Sequence, residues 1–178
     1  MRHVLTCIAG GLAAASPAAA EVTASSDSGF VSHHEAVVTA VPAAVWAAML
    51  GPAGWWNGEH TYSGNAANLT LEPVAGGCFC ETIPGSPGAP AGQIEHMRVL
   101  YLAPNATLRL SGGLGPLQSE AVTAVLTMQL APSGEGTRIT WDLVVGGYMR
   151  PPMAALAPIV DQVIGEQLTR LTAGLSTG

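Results

Sequence analysis

Cys78 and Cys80 are the sharpest chemical feature of this sequence. Residues two apart on a strand point to the same face, so both thiols would share one environment. Their Cβ atoms would stand about 6 to 7 Å apart in an extended chain, beyond the roughly 4 Å that a disulfide prefers. The spacing therefore predicts a reduced pair, since an internal disulfide would need a bulge. If the loop over residues 84–92 closes symmetrically, Cys80 lies opposite His96, and His60 can approach from the connection that leads into the sheet. Two thiolates and one or two imidazoles suit a soft or borderline ion such as Zn²⁺ or Cu⁺, which makes Cys78, Cys80, His96 and His60 a candidate metal set. The competing reading is two small, inert residues in a cavity wall.

A second cluster, Trp55, Trp56, His60 and Tyr62, combines apolar bodies with polar tips on one short connection. Such residues either cap a core or line a pocket. Read as a pocket, the binding set is Trp55, Trp56, His60 and Tyr62, joined by Cys78, Cys80 and His96 and by Val160 and Ile164 from the last segment. Read as an enzyme, the same cavity offers His60, His96, Glu81 and Tyr62 as acid–base groups. Glu81 and Glu95 could face each other across a hairpin, although single charges on strands are usually solvated. His33 and His34 fall at the exposed start of a strand, with no role expected. Residues 112–118 are glycine-rich, but nothing basic follows and no helix begins there, so they read as a wide turn rather than a phosphate cradle.

Composition removes several function classes. All six basic residues are arginine, against twelve acidic ones, and the net charge is −6. That balance cannot supply the clustered positive face that nucleic acid requires. Without lysine there is no Schiff base and no Walker-type phosphate loop. Residues 1–20 carry Arg2, an apolar run and an Ala-x-Ala site, the pattern of a secretory signal cleaved after Ala20. The run is too short to span a bilayer, so no integral membrane segment is expected after cleavage, and the protein is expected to be periplasmic or secreted. Residues 21–29 are Ser-rich and read as a disordered leader.

Helices and strands must position these groups. Residues 153–175 repeat Leu156, Ile159, Val160, Val163, Ile164, Leu168, Leu171 and Leu175 every three or four positions, with Asp161, Gln162, Glu166, Thr169, Arg170 and Thr172 on the other arc. That is an amphipathic helix, kinked at Pro158 or properly starting there. Strands are predicted over residues 30–41, 68–72, 78–83, 93–102, 107–111, 120–130 and 137–145, separated by Gly- and Pro-rich turns. A short helix opened by Pro42 covers residues 43–50, and a second helical turn carries Trp55 and Trp56. The fold class is α+β: a curved antiparallel sheet of about seven strands, in the order β-α-α-β6-α, wrapped around the long C-terminal helix, within one domain over residues 30–176.

That order, with Val41-Pro42-Ala43-Ala44-Val45-Trp46 at the first helix, Gly76-Gly77-Cys78-Phe79-Cys80-Glu81 entering a strand and Gly136-Thr137-Arg138-Ile139-Thr140-Trp141 at the last strand, resembles the START-like, Bet v 1-type helix-grip (SRPBCC) superfamily. The branch it looks most like is the bacterial group similar to the Hsp90-ATPase activator homologue 1. The resemblance implies a hydrophobic or amphipathic ligand held between sheet and helix, and some members are lyases, cyclases or hydrolases. An Hsp90 role is not carried over, because an exported domain meets neither that chaperone nor ATP. The expectation is thus an exported binding protein for a small apolar or amphipathic molecule. The alternatives are a cavity enzyme, or a metal or thiol module on Cys78 and Cys80 with His96.

Overall fold

The computed structural model describes residues 19–134 and 136–175, so the expected signal peptide lies almost wholly outside the described residues. Eight antiparallel strands form one open sheet: β1 (Ala19–Ser26), β2 (Gly29–Val38), β3 (Leu69–Leu71), β4 (Cys78–Ile83), β5 (Gly92–Ala103), β6 (Thr107–Gly112), β7 (Ala121–Ser133) and β8 (Gly136–Tyr148). Their order across the sheet is β1-β2-β8-β7-β6-β5-β4-β3. The seven predicted strands are present. The eighth is the stretch expected as a disordered leader, which pairs along β2 with Ser25 opposite Phe30 and Glu21 opposite His33. A Ser-rich segment has little apolar surface to order it, but a neighbouring strand satisfies its backbone groups whatever the side chains.

Two helices complete the fold, α1 (Pro42–Met49) and α2 (Met153–Leu175). Pro42 opens α1, where its missing N–H is not needed. The second helix begins at Met153 rather than at Pro158, which sits inside it on an exposed position. Met153, Ala157, Val160, Ile164, Leu168 and Leu171 form its buried stripe, at spacings of three and four. That stripe packs toward β1, β2 and α1. The inner face of the sheet carries Phe30, Trp141, Leu143, Leu126 and Leu110, all at most 2% exposed. Between α1 and β3 the chain crosses the sheet through three single 3₁₀ turns, Pro52–Gly54, Gly58–His60 and Ala66–Asn68. Trp55 and Trp56 hang from this crossover, Trp55 at 5.5 Å from Trp141 and Trp56 at 5.4 Å from Phe79, ring centre to ring centre. Among the described residues no helix is long and apolar enough to cross a membrane.

The register of β4 against β5 changes the expected geometry of the cysteines. Phe79 pairs with Met97 and Cys80 with Glu95, so His96 is an extra residue on β5 and lies opposite neither cysteine. This bulge turns two consecutive side chains, His96 and Met97, into the interior. On β4 the alternation buries Phe79 and Glu81 and leaves Cys78 and Cys80 half-buried on the other face. Contrary to the expectation of a reduced pair, Cys78 and Cys80 are joined in a disulfide. Their Cα atoms are 5.3 Å apart, shorter than the roughly 6.6 Å spanned by two residues of a regular strand and within the range that a disulfide accepts.

Candidate functional site

The crossover is tied to α2 by polar residues of the helix. The Asn57 backbone N–H donates to Gln167 Oε1 at 2.7 Å, and Asn57 Nδ2 donates to Glu166 Oε1 at 2.6 Å. Arg170 Nε donates to the Trp55 carbonyl at 3.0 Å. Gln167 is fully buried, so its amide would be costly to leave without these partners. His60 Nε2 lies 2.9 Å from Glu166 Oε2. Burial raises the Glu166 carboxyl, but hydrogen bonds from Asn57 and His60 and the positive charge of Arg170 outweigh it and hold the group below its ordinary value. Glu166 and Arg170, from the arc opposite the apolar stripe, together with the buried Gln167, thus grip the Trp55–His60 segment.

From the other side, Glu81 of β4 grips the next residues. Its carboxylate accepts the backbone N–H groups of Tyr62 at 3.1 Å and Ser63 at 2.5 Å, and His96 Nε2 at 2.9 Å. Glu81 is 1% exposed. Burial pushes its carboxyl up, yet the hydrogen bonds from Ser63, Tyr62 and His96 prevail and hold it below the usual carboxylate range. The Tyr62 hydroxyl donates to the Gly115 carbonyl at 3.0 Å, and Gly115 takes a positive φ of 52° that favours glycine.

These ties leave a groove of about 440 Å³ with three walls. Ile159, Val160, Val163 and Ile164 of α2 form one, Trp56 and residues 59–62 a second, and Leu114, Gly115 and Pro116 the third. Ile159 and Tyr62 are 57% and 53% exposed there. Of the expected binding residues, Trp56, His60, Tyr62, Val160 and Ile164 come together in this groove. Trp55 does not: it is buried behind Trp56, with its indole N–H donating to the Ala48 carbonyl at 3.0 Å. His96 lies behind Tyr62, their rings 6.0 Å apart, and does not line the groove. Cys78 and Cys80 are remote from it on the outer face. The metal set is likewise undone: the bridge consumes both thiolates, and no group of three or more His, Cys, Asp and Glu among the described residues could hold an ion. Of the acid–base set, Glu81 and His96 are buried and paired with each other, leaving His60 and Tyr62 in the groove.

Sequence reasoning missed a buried polar cluster between β2 and α2. Ser32 Oγ donates to Asp161 Oδ1 at 2.6 Å and lies 2.8 Å from His34 Nε2, which is itself 3.1 Å from Asp161 Oδ1. Ser32 and His34 are fully buried. A nucleophilic triad needs serine and carboxylate on opposite ring nitrogens; here both meet Nε2, while Nδ1 has no partner. The cluster therefore ties α2 to the sheet rather than activating Ser32. Burial dominates at His34 and lowers its pKa below 6.5, against the pull of Asp161. With the folded value depressed, the unfolded chain takes up the proton first, so stability is full above pH 6.5 and falls as the pH drops from there toward the folded value. Urea unfolding across this window should lose at most about 1.4 kcal/mol per pH unit to this residue, and His34→Gln should flatten that part of the curve.

No family model matches the chain, and no curated protein matches it in sequence. Solved structures do. An uncharacterized protein from Rhizobium leguminosarum superposes with a TM-score of 0.58 at 17% identity, over 89% of this chain and 97% of its own. The Mll3558 protein from Rhizobium loti gives 0.58 at 20% identity, over 80% and 94%. The Aha1 dimer from Colwellia psychrerythraea gives 0.52 at 17% identity, over 82% and 96%. The chain shares their fold. At such identities the likeness carries the architecture, one open antiparallel sheet with a long C-terminal helix, and no activity.

Proposed function

We propose that this chain is an exported helix-grip protein that binds a small amphipathic molecule in the groove beside α2. The observation that carries this reading is the groove itself, whose volume falls in the range of small-molecule sites. Its long wall is aliphatic, and Ile159 is left 57% exposed within it. Polar groups gather at the crossover end, where Glu59 and His60 line the wall and Glu166 stands behind His60. Among the described residues no arginine lines the groove. An apolar body with a neutral or cationic, hydrogen-bond-donating head fits this distribution better than an anion. The START-like resemblance agrees with a ligand held between sheet and helix, although the groove is open and stands beside the helix. Cleavage after Ala20 would leave Glu21–Ser26 to pair with β2. The enzyme alternative has one observation in its favour, the His60–Glu166 pair on the groove wall.

Tryptophan emission should change on titration with dodecylamine, because Trp56 lines the groove. Dodecanoate should bind more weakly. Native mass spectrometry of protein isolated from outside the cytoplasm should show a mass that starts at Glu21 and carries a small-molecule adduct. The reading fails if neither amphiphile perturbs the emission.

A further inference from the structure

Apart from the groove, the least explained feature is the Cys78–Cys80 bridge. It encloses a single residue, Phe79, in a strand already paired on both sides, by β3 and β5. The stabilisation from a disulfide grows with the length of loop it closes, so a bridge this short gains the least from restricting the unfolded chain. It also shortens the strand, to a Cα separation of 5.3 Å, where a regular strand takes about 6.6 Å. A link that stabilises little and holds the backbone off its relaxed length is poorly explained as a structural brace. Its surroundings favour chemistry. Both half-cystines are half-buried on the outer face, one strand from the sheet edge, where only the three-residue β3 lies beyond. Opposite Cys78 in the β4–β5 register stands Arg98, and opposite Cys80 stands Glu95. Arg98 is held in place by an ion pair to Glu95 and by donating from Nη1 to the Gly76 carbonyl at 2.9 Å.

We propose that Cys78 and Cys80 form a thiol–disulfide exchange site whose partner is a dithiol. A thiolate of the partner attacks Cys80 Sγ, the Cys78–Cys80 bond breaks, and Cys78 leaves as a thiolate on the residue paired with Arg98 across the strands. Cationic neighbours lower thiol pKa values, and a leaving thiol of lower pKa departs faster. The partner's second thiolate then attacks its own sulfur in the mixed disulfide and releases Cys80. The protein gains two electrons and, with two protons, two thiols; the partner loses two electrons and becomes a disulfide. Reduction frees β4 to lengthen, and Phe79, enclosed by the bridge, is the residue this moves. Its ring touches both Trp56 and His96, each 5.4 Å away between centres, so the state of the bridge on the outer face is read on the inner one.

The full chain tests this by thiol trapping with an alkylating reagent, followed by peptide mass spectrometry of the segment that contains both cysteines. Before reductant, neither cysteine should be labelled. Millimolar dithiothreitol should label both in folded protein, with a parallel change in tryptophan emission. Arg98→Ala should slow the reduction about threefold by raising the pKa of the leaving thiol, and Arg98→Lys should restore the rate. A reduced Cys-x-x-Cys protein supplied at equal concentration distinguishes the source: faster reduction than by dithiothreitol assigns a protein dithiol, slower reduction a small one, and both support the site. The proposal is overturned if the cysteines label without reductant, if they resist both dithiols while the protein is folded, or if Arg98→Ala reduces at the wild-type rate. None of these outcomes depends on ligand binding in the groove.

Discussion

Glu81→Ala is expected to destabilise the protein by about 3 kcal/mol, since hydrogen bonds to charged groups are worth about 1.5 to 3 kcal/mol each and the buried donors would be stranded. Three donors lose their acceptor at once: the Tyr62 and Ser63 backbone N–H groups and His96 Nε2. The three donors share one carboxylate, and penalties at contacting groups do not add in full, which keeps the sum below three full penalties. Glu81→Gln should cost roughly half as much, because one carbonyl oxygen remains to accept. The pH dependence separates charge from packing. The folded carboxyl titrates below its ordinary 4.5, so its contribution is complete above that value and is lost as the pH falls through the folded pKa. Urea unfolding of wild type and Glu81→Gln should therefore diverge near neutral pH and converge in acid. A difference that persists undiminished in acid would show that the charge is not what Glu81 contributes. Amphiphile binding should weaken along with stability, since residues 60–62 form one groove wall.

Trp56→Ala should cost about 3 to 5 kcal/mol, the range for removing a large buried aromatic residue. Trp56 is 5% exposed, tilts against Trp55 at 5.5 Å and meets Phe79 edge-on at 5.4 Å. Its indole N–H also donates to the His60 carbonyl at 3.1 Å, which fixes the turn that carries His60 into the groove. Trp56→Phe keeps most of the packing but not that hydrogen bond. It should lose about 1 to 2 kcal/mol of stability and proportionately more ligand affinity. If Trp56→Ala unfolds at the wild-type urea midpoint, the crossover is not a packed element of the core.

Legibility in the sequence followed the range of the interactions. Where neighbours in the chain are also neighbours in space, the reading held. The helical stripe through Val160, Ile164, Leu168 and Leu171 is buried, and Gly- and Pro-rich turns separate the seven expected strands. Trp56, His60 and Tyr62 reach one groove because they share one short connection. Beyond that range, pattern was insufficient. Ser32 meets Asp161 across 129 residues of chain, with His34 beside it, and nothing on β2 distinguishes its two faces, which carry valines and polar residues alike. Asp161, Glu166 and Arg170 looked solvated because helix periodicity knows nothing of a crossover lying alongside.

By itself, the sequence determined seven of the eight strands, the amphipathic C-terminal helix and the shared face of Cys78 and Cys80, because periods of 3.6 and 2 are properties of the local backbone. Which face those cysteines take was decided only when β4 paired with its neighbours and turned Phe79 and Glu81 inward. The bulge at His96 shifted the register by one residue, and a shift of one reverses every side chain beyond it. The pairing of residues 19–26 with β2, the buried Glu81–His96 pair and the groove beside Ile159 likewise come from surfaces meeting across the fold. No local period encodes such meetings.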